Sequence, residues 1–232
     1  MSSEGTLPEP QVQAMFDRIA RVYDRMNSVM TAGMHHRWRE RAVDMAGVRP
    51  GDRALDVATG TGDLAVELGR RVGDTGEVVG MDFSEAMLEL ARRKAPTIGF
   101  EQGNALDLVY SDGEFAATTV GFGARNFADL GQGLAEMARV TRPGGRVIVL
   151  EITTPQRPPL SWFFGVWFDR VVPAMGRLAG DPAAYDYLPS SVRRFPGPEE
   201  LAGELARAGL VDVRYVLTAG GIIAIHSGTV AG

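Results

Sequence analysis

The strongest constraint on the fold is a regular alternation of short apolar strands and amphipathic helices between residues 53 and 152. The apolar pattern predicts strands over residues 53–58, 77–81, 98–101, 115–122 and 146–152, helices over residues 61–71, 84–94 and 130–140, and two closing antiparallel strands over residues 211–217 and 222–227. Strands that alternate with helices of about 10 to 15 residues are typical of a parallel, doubly wound α/β sheet. Such a sheet places its ligand crevice at the carboxyl ends of its strands.

Further helices are predicted on both sides of this core. Residues 1–10 are polar and predict a flexible tail. Residues 11–47 carry apolar side chains at three- and four-residue steps and are interrupted at Gly33, which predicts at least two N-terminal helices. Residues 153–195 are rich in proline and aromatic residues and predict a helical insertion that covers the crevice. We expect residues 11–232 to form a single domain.

The composition excludes several kinds of chemistry. The chain has 24 Lys+Arg against 29 Asp+Glu, and this mild acidity counts against a nucleic-acid partner. It has no cysteine, which excludes disulfides, cysteine nucleophiles and thiolate metal sites. Because there are also only three histidines, no metal site is expected. The polar N-terminus lacks the apolar core of a signal peptide, and no segment predicts a membrane span, so we expect a cytoplasmic protein.

The histidines are weak candidates for a catalytic base. His35 and His36 are followed by Arg37 and Arg39, and we expect this segment to be basic and partly exposed. His226 lies in the last predicted strand, where a structural role is more common than a catalytic one. We therefore expect the essential chemistry to lie elsewhere.

A glycine loop follows the first predicted strand. Gly60 and Gly62 stand in the pattern Gly60-x-Gly62-x-x-Ala65, which formally matches the dinucleotide-binding fingerprint. Glycines let the backbone approach a ligand, and the helix that follows offers unpaired N–H groups. Asp82 lies 20 residues beyond Gly62, at the end of the second strand, where a carboxylate can accept both ribose hydroxyls. Together these residues predict a cofactor that contains adenosine.

Charge around the loop favours one such cofactor over another. Asp56 lies in the strand before the glycines, and Asp63 follows them directly. Negative charge there suits S-adenosylmethionine, which carries an ammonium and a sulfonium group, and it repels the pyrophosphate of NAD. We therefore favour methyl transfer. An NAD-dependent reductase and a non-catalytic nucleotide-binding protein remain the alternatives, and tighter binding of NADH than of S-adenosylhomocysteine would favour the former.

The sequence also resembles a known family. Residues 55–63 (LDVATGTGD) resemble the first motif of class I, S-adenosylmethionine-dependent methyltransferases. The segments 16–27, 121–126, 142–151, 185–188 and 218–220 resemble the demethylmenaquinone and polyprenyl-benzoquinol methyltransferases of quinone biosynthesis, and the likeness extends from about residue 12 to residue 226. The resemblance implies a Rossmann-like fold with a seven-stranded, mostly parallel sheet whose final strand is antiparallel.

The resemblance also implies roles for residues that follow the predicted strands. Thr61, Asp82, Asn104 and Ala105 would contact the cofactor. Gly121 would do so as well, but the family often has a serine at this position, so that only backbone contact is available here.

Four more residues are assigned to the substrate and the chemistry by the same resemblance. Tyr23 and Asn27 would form a wall of the substrate pocket. Arg125 and Asn126 would be catalytic: Arg125 would stabilise a phenolate or orient a water that removes its proton. The alternative for Arg125 is an ion pair that holds the insertion.

The resemblance implies C-methylation of demethylmenaquinol to menaquinol, with S-adenosylhomocysteine as the second product and no metal. A polyprenyl-benzoquinol of ubiquinone biosynthesis, or another small aromatic compound, is the alternative substrate. The aromatic residues 160–172 suit a lid for a prenyl tail, a contact with the inner face of the membrane, or an ordinary covering helix. The sequence leaves these three interpretations open, and likewise the oligomeric state.

Overall fold

The computed structural model of the chain describes residues 9–31, 33–156, 158–172 and 182–232. Its centre is a seven-stranded sheet with the strand order β3-β2-β1-β4-β5-β7-β6. The strands are β1 (Arg53–Val57), β2 (Glu77–Asp82), β3 (Gly99–Gln102), β4 (Phe115–Gly121), β5 (Thr141–Ile152), β6 (Leu210–Thr218) and β7 (Ile223–Val230). Strands β1 to β5 pair in parallel, whereas β7 pairs antiparallel with both β5 and β6. The predicted sheet is therefore confirmed.

Helices pack on both faces of this sheet. They are α1 (Glu9–Thr31), α2 (His35–Ala46), α3 (Asp63–Val72), α4 (Glu85–Lys94), α5 (Leu130–Val140), α6 (Leu160–Val166), α7 (Pro182–Arg194) and α8 (Pro198–Arg207). Buried side chains of α2, α3 and α4 form one core with one face of the sheet, and those of α5 and α8 form a second core with the other. This three-layer arrangement is the one that buries both faces of a parallel sheet.

Local sequence signals explain where several helices begin. Ser84, the predicted N-cap of α4, accepts a hydrogen bond from the Met87 N–H at 3.2 Å. Asp129 caps α5 in the same way, since its side chain accepts from the Gln132 N–H at 2.9 Å. Pro198 occupies the first turn of α8, where its missing N–H costs nothing.

The segments outside the core follow the prediction in outline. Gly33 separates α1 from α2, as expected, with a φ of +74° that favours glycine. Helix α1 begins at Glu9, inside the tail predicted for residues 1–10, and residues 1–8 lie outside the described part. Within the predicted insertion, α6 continues into a π-helical turn at Trp167–Val171, and α7 follows; residues 157 and 173–181 are outside the description.

One strand begins earlier than predicted. β5 begins at Thr141, whereas the proline and glycines of residues 143–145 predict a turn and a strand start at residue 146. The pairing with β4 shifts register between Phe115 and Ala117, and Gly144 has a φ of +75°. The turn is thus present as an irregularity within a longer strand.

Candidate active site

A polar cavity lies where β1, β2 and β4 end. It has a volume of about 80 Å3, and Phe16 and Tyr23 of α1 contribute to its wall. Of the eight predicted cofactor residues, seven line this cavity: Asp56, Gly60, Thr61, Asp82, Asn104, Ala105 and Gly121. The predicted catalytic residue Asn126 lines it as well. The parallel strands bring these residues together because their carboxyl ends meet at one edge of the sheet.

Asp82 is held rigidly at the end of β2. Its carboxylate accepts hydrogen bonds from the Gly60 N–H at 2.8 Å and from the Ser84 N–H at 2.9 Å. The residue is 5% exposed, and this burial raises the pKa of its carboxyl to about 6 despite those bonds. The Phe83 N–H bonds it as well, and because a carboxylate has about four acceptor positions, acceptor capacity remains for the hydroxyl donors of a ligand.

Asp56 is committed to the loop that follows β1. Its two oxygens accept hydrogen bonds from the hydroxyls of Thr59 and Thr119, each at 2.6 Å. Burial raises the pKa of its carboxyl to about 6. Asp56 therefore shapes the glycine loop and adds negative potential to the cavity when it is ionised.

The two glycines of the loop have different roles. Gly60 lines the cavity with a φ of +57° and directs its N–H to Asp82. Gly62 is absent from the cavity wall, and a Cβ there would lie 2.9 Å from Phe100 Cζ and 3.2 Å from Ala91 Cβ. Glycine is needed here because the start of α3 packs closely against Phe100 and Ala91 and leaves no room for a Cβ. The predicted cofactor contact of Gly62 has no support from this geometry.

Two other predicted contacts face protein partners. The Thr61 hydroxyl donates to Asp24 of α1 at 2.5 Å and accepts from Lys94 Nζ at 3.1 Å. The Asn104 side-chain oxygen accepts from the Leu106 N–H at 2.9 Å. These bonds hold α1 on the glycine loop and shape the loop after β3.

Gly121 is confined by its neighbours. A Cβ at this position would lie 3.1 Å from Leu64 Cδ2, which is tighter than an ordinary contact. The cavity wall at the end of β4 is therefore backbone, and a serine in this place would require Leu64 to move.

An apolar cavity of about 340 Å3 adjoins the polar one. The two share four lining residues: Phe16, Tyr23, Arg39 and Phe122. The apolar cavity is lined mostly by side chains of α1, α2, α6 and the π-helical turn, and Tyr23, Asn27 and Arg125 are among them. The structure thus places both predicted substrate residues and the predicted catalytic arginine in the lining of one cavity.

Arg125 forms a buried ion pair. Its Nη1 donates to Glu151 Oε1 at 2.7 Å and to the Phe122 carbonyl at 2.5 Å. The side chains of Arg125 and Glu151 are 7% and 1% exposed. The Arg125 Nε is buried and has no hydrogen-bond partner among the described residues. Arg125 is therefore held by the end of a strand and not by the insertion.

Asn126 contacts the predicted insertion. Its side-chain oxygen accepts from the Tyr187 hydroxyl of α7 at 3.2 Å. Burial raises the pKa of that hydroxyl, so Tyr187 stays protonated and acts as a donor. This bond ties α7 to the short turn that carries Arg125.

The expectation of a partly exposed basic segment is wrong for His35 and Arg39. His35 is 3% exposed and Arg39 is 7% exposed, because residues 35, 38, 39, 42, 43 and 46 form the buried face of α2. His36 and Arg37 are exposed, as expected. Arg39 lies four residues after His35 and three and four residues before Ala42 and Val43. This helical spacing could have predicted that Arg39 lies on the buried face of α2.

His35 is a neutral hydrogen-bonding group. Its Nδ1 accepts from Arg39 Nη1, and its Nε2 lies 3.2 Å from the Ser28 hydroxyl. Burial, followed by the charge of Arg39, lowers the pKa of His35 to about 4. His226 is fully buried, bonds the Pro198 carbonyl at 2.8 Å and lines neither cavity, in keeping with the structural role expected for it.

The described part of the chain holds no group of three or more histidine, cysteine, aspartate or glutamate side chains placed to bind a metal. In the same part, no helix is long and apolar enough to cross a bilayer.

Comparison with known proteins identifies the family. The family model described as the ubiE/COQ5 methyltransferase family matches residues 5–230. The chain belongs to this family. The predicted resemblance, and with it the prediction of an S-adenosylmethionine-dependent methyltransferase, is confirmed.

Relatives within and around the family cover nearly the whole chain. A demethylmenaquinone methyltransferase of Thermus thermophilus is 47% identical over 92% of this chain and 99% of its own length. The ubiquinone/menaquinone biosynthesis C-methyltransferase UbiE of Teredinibacter turnerae is 41% identical over 95% of this chain and 92% of its own length.

Solved structures share the fold at low identity. An S-adenosylmethionine-dependent methyltransferase of Thermotoga maritima, a possible histamine N-methyltransferase, has a TM-score of 0.66 at 20% identity, with coverage of 93% of this chain and 98% of that chain. The [4+2]-cyclase SpnF has a TM-score of 0.68 at 16% identity, with coverage of 96% of each chain. The fold alone therefore accommodates more than one reaction.

Proposed function

We propose that this member of the ubiE/COQ5 family transfers a methyl group from S-adenosylmethionine to a ring carbon of demethylmenaquinol and so forms menaquinol. The observation that carries the proposal is the pair of adjoining cavities. One is polar and ends at Asp82 and Gly60, and the other is apolar and has a volume of about 340 Å3. The names of the relatives at 40–47% identity support this substrate.

The polar cavity suits the cofactor. Asp82 offers fixed acceptors for two ribose hydroxyls, and Phe83 lies beside it as an apolar surface for a base. Asp56 supplies negative charge for the ammonium and sulfonium groups when it is ionised, whereas Asp63 is paired with Arg39 and Lys94. When bound, S-adenosylmethionine supplies an electrophilic methyl group on its sulfonium.

The apolar cavity suits a prenylated ring. Aromatic and methionine side chains make up much of its wall, while Arg125 and Asn27 add polar groups. Such a wall binds a hydrocarbon tail through burial and leaves a few polar groups to orient the ring. Tyr23 lines both cavities, so it lies at the boundary where the ring would face the cofactor.

Arg125 is the residue that would promote reaction at the ring carbon. A deprotonated quinol oxygen pushes electrons onto the ring, and a nearby cation stabilises that phenolate. Arg125 lines the apolar cavity, and Glu151 and the Phe122 carbonyl hold its Nη1 in place, so that the cation is fixed beside the space that this oxygen would occupy. Because arginine keeps its proton in proteins, Arg125 acts as a cation and not as a base.

The proposal extends to the surface through which the protein would take up its substrate from the membrane. Trp162 and Phe163 of α6 are 73% and 52% exposed, and Phe163 also lines the apolar cavity. Large exposed apolar side chains beside a cavity for a lipid tail are typical of a membrane-contacting surface, and tryptophan favours the interface. We therefore place this face of α6 against the cytoplasmic surface of the membrane.

Vesicle sedimentation tests this membrane contact. Trp162→Ser should weaken binding to phospholipid vesicles several-fold. Val109→Ser is the control, because Val109 is an apolar residue that is 86% exposed and lines neither cavity; this variant should bind vesicles as the native protein does. Equal binding by the native protein and Trp162→Ser would contradict the assignment.

Methyl transfer tests the function directly. Labelled S-adenosylmethionine is incubated with a short-chain demethylmenaquinone, with and without a chemical reductant. Transfer only in the presence of the reductant is expected, because the quinol and not the quinone is the nucleophile. A benzoquinol assayed in parallel tests the second candidate, which the printed name of the Teredinibacter turnerae relative favours. Transfer to neither ring would refute the proposal.

A further inference from the structure

The lining of the polar cavity has an unequal distribution of charge. Three carboxylates line it, those of Asp56, Asp63 and Asp82. Among the described residues that line it, Arg39 is the one with a permanently cationic side chain. A ligand that carries a carboxylate would be repelled by the three aspartates unless Arg39 were its partner.

Arg39 has donors to spare at this boundary. Its Nη1 donates to His35 Nδ1, and its Nη2 lies 3.2 Å from Asp63 Oδ2. A guanidinium has five N–H groups, so three remain without an acceptor among the described residues. The side chain is 9% exposed and its carbon lies 5.7 Å from the centre of the Phe122 ring. Arg39 is thus buried and fixed in place, and it has N–H groups free to bind a ligand.

His35 fixes the direction of the guanidinium. Arginine can only donate, so His35 Nδ1 must be the unprotonated nitrogen and Nε2 carries the proton toward the Ser28 hydroxyl. The lowered pKa of His35 agrees with this neutral form. The link therefore runs from α1 through His35 to Arg39.

Asp63 contacts two cations. Its Oδ1 accepts from Lys94 Nζ at 2.7 Å, while Oδ2 faces Arg39. Although burial alone would raise it, these two cations hold the pKa of Asp63 below its usual value. Lys94 is also paired with Asp24 at 2.6 Å, so the four charges of this cluster balance, and what Arg39 offers the polar cavity is its unused N–H donors.

We propose that Arg39 binds the α-carboxylate of the methionyl part of S-adenosylmethionine. The proposal rests on the proposed function, which supplies the cofactor. Arg39 also borders the apolar cavity, but a resting quinol oxygen is neutral and Arg125 already serves that cavity. A full negative charge in a buried, acidic cleft requires the cation more strongly.

Binding of two ligands tests this assignment without turnover. Calorimetric titration compares S-adenosylhomocysteine with the analogue that lacks only its carboxylate group. The native protein should prefer S-adenosylhomocysteine by about 10- to 100-fold, as expected of a charge-assisted pair. Arg39→Met should lose this preference, and Arg39→Lys should keep part of it. Arg37→Met is the matched control, because Arg37 is exposed on the same helix and its variant should keep the full preference.

The outcomes separate this inference from the proposed function. Failure of the native protein to bind S-adenosylhomocysteine would refute the proposed function and this inference together. Tight binding of both ligands with equal affinity would refute the carboxylate contact alone, whatever the variants do. A preference that persists in Arg39→Met, with a raised KM for the quinol, would assign Arg39 to the substrate and overturn the proposal.

Discussion

Relative to the native protein, Asp82→Asn should have a higher free energy of unfolding at pH 7 than at pH 5 when no cofactor is bound. The same substitution should weaken cofactor binding. Burial raises the pKa of the Asp82 carboxyl from 3.8 to about 6. In the unfolded chain the carboxyl is ionised at both pH values, but in the folded protein it is mostly protonated at pH 5 and mostly ionised at pH 7. Because the folded-state pKa is raised, stability is lost as the pH rises toward 6.

The size of the effect follows from that shift. Between pH 5 and the folded-state pKa there is about one unit, which corresponds to about 1.4 kcal/mol, and the cost is constant above it. Asparagine does not titrate. The difference in free energy of unfolding between Asp82→Asn and the native protein should therefore move by about 1.4 kcal/mol in favour of the variant from pH 5 to pH 7. The hydrogen bond lost at Gly60 or Ser84 is the same at both pH values and cancels.

Urea unfolding of both proteins without cofactor measures this difference. Titrating groups that do not interact with Asp82, His35 among them, contribute equally to the two proteins and cancel as well. Asp56 does not cancel, because the charge of Asp82 raises its pKa; its relief in the variant adds to the change in the same direction. Asp74→Asn, at an exposed aspartate, is the matched control for the substitution itself. Titration with S-adenosylhomocysteine should show at least about a 10-fold loss of affinity in Asp82→Asn. An unfolding difference that is equal at the two pH values would refute the burial argument, and unchanged affinity would refute the ribose assignment.

Three further changes test the site and its support. Arg125→Met combined with Glu151→Gln removes both charges of the buried pair and should reduce turnover by about 100-fold or more without weakening S-adenosylhomocysteine binding; ordinary turnover would remove Arg125 from the mechanism. Gly62→Ala should lower the free energy of unfolding by about 1–3 kcal/mol, because its φ is +80° and its Cβ would contact Phe100, and urea unfolding checks this. Lys94→Met should loosen α1, since Lys94 Nζ bonds Asp24, Thr61 and Asp63; unaltered hydrogen exchange in α1 would count against that link.

The sequence predicted the elements whose signals are local. The apolar strands, the cap of α4 at Ser84 and the glycine loop each depend on a few consecutive residues, and the structure has all of them. The acidic residue at position 82 was found because the spacing from the loop is fixed by one strand-helix unit. These features required no knowledge of how distant segments pack.

Features that depend on tertiary packing were missed. Arg39 is buried because α2 lies against the sheet, and its neighbours Arg37 and His36 made the segment look solvated. Glu151 is the partner of Arg125 because parallel pairing of β4 and β5 brings the end of β5 beside the turn after β4. Neither contact follows from sequence spacing, since 26 residues separate Arg125 from Glu151.

The division of the molecule into core and cover explains where specificity resides. The strand ends supply the polar cavity, and the same fold occurs in a possible histamine N-methyltransferase and in a [4+2]-cyclase. The apolar cavity is instead built mainly by α1, α2 and the insertion, which lie outside the alternating core. Those segments also contribute hydrogen bonds and ion pairs to the glycine loop through Asp24 and Arg39. Helices α1 and α2, which line the cavity that we propose for the substrate, are therefore also the ones that close the polar cavity, so that binding of one ligand should order the surface that receives the other.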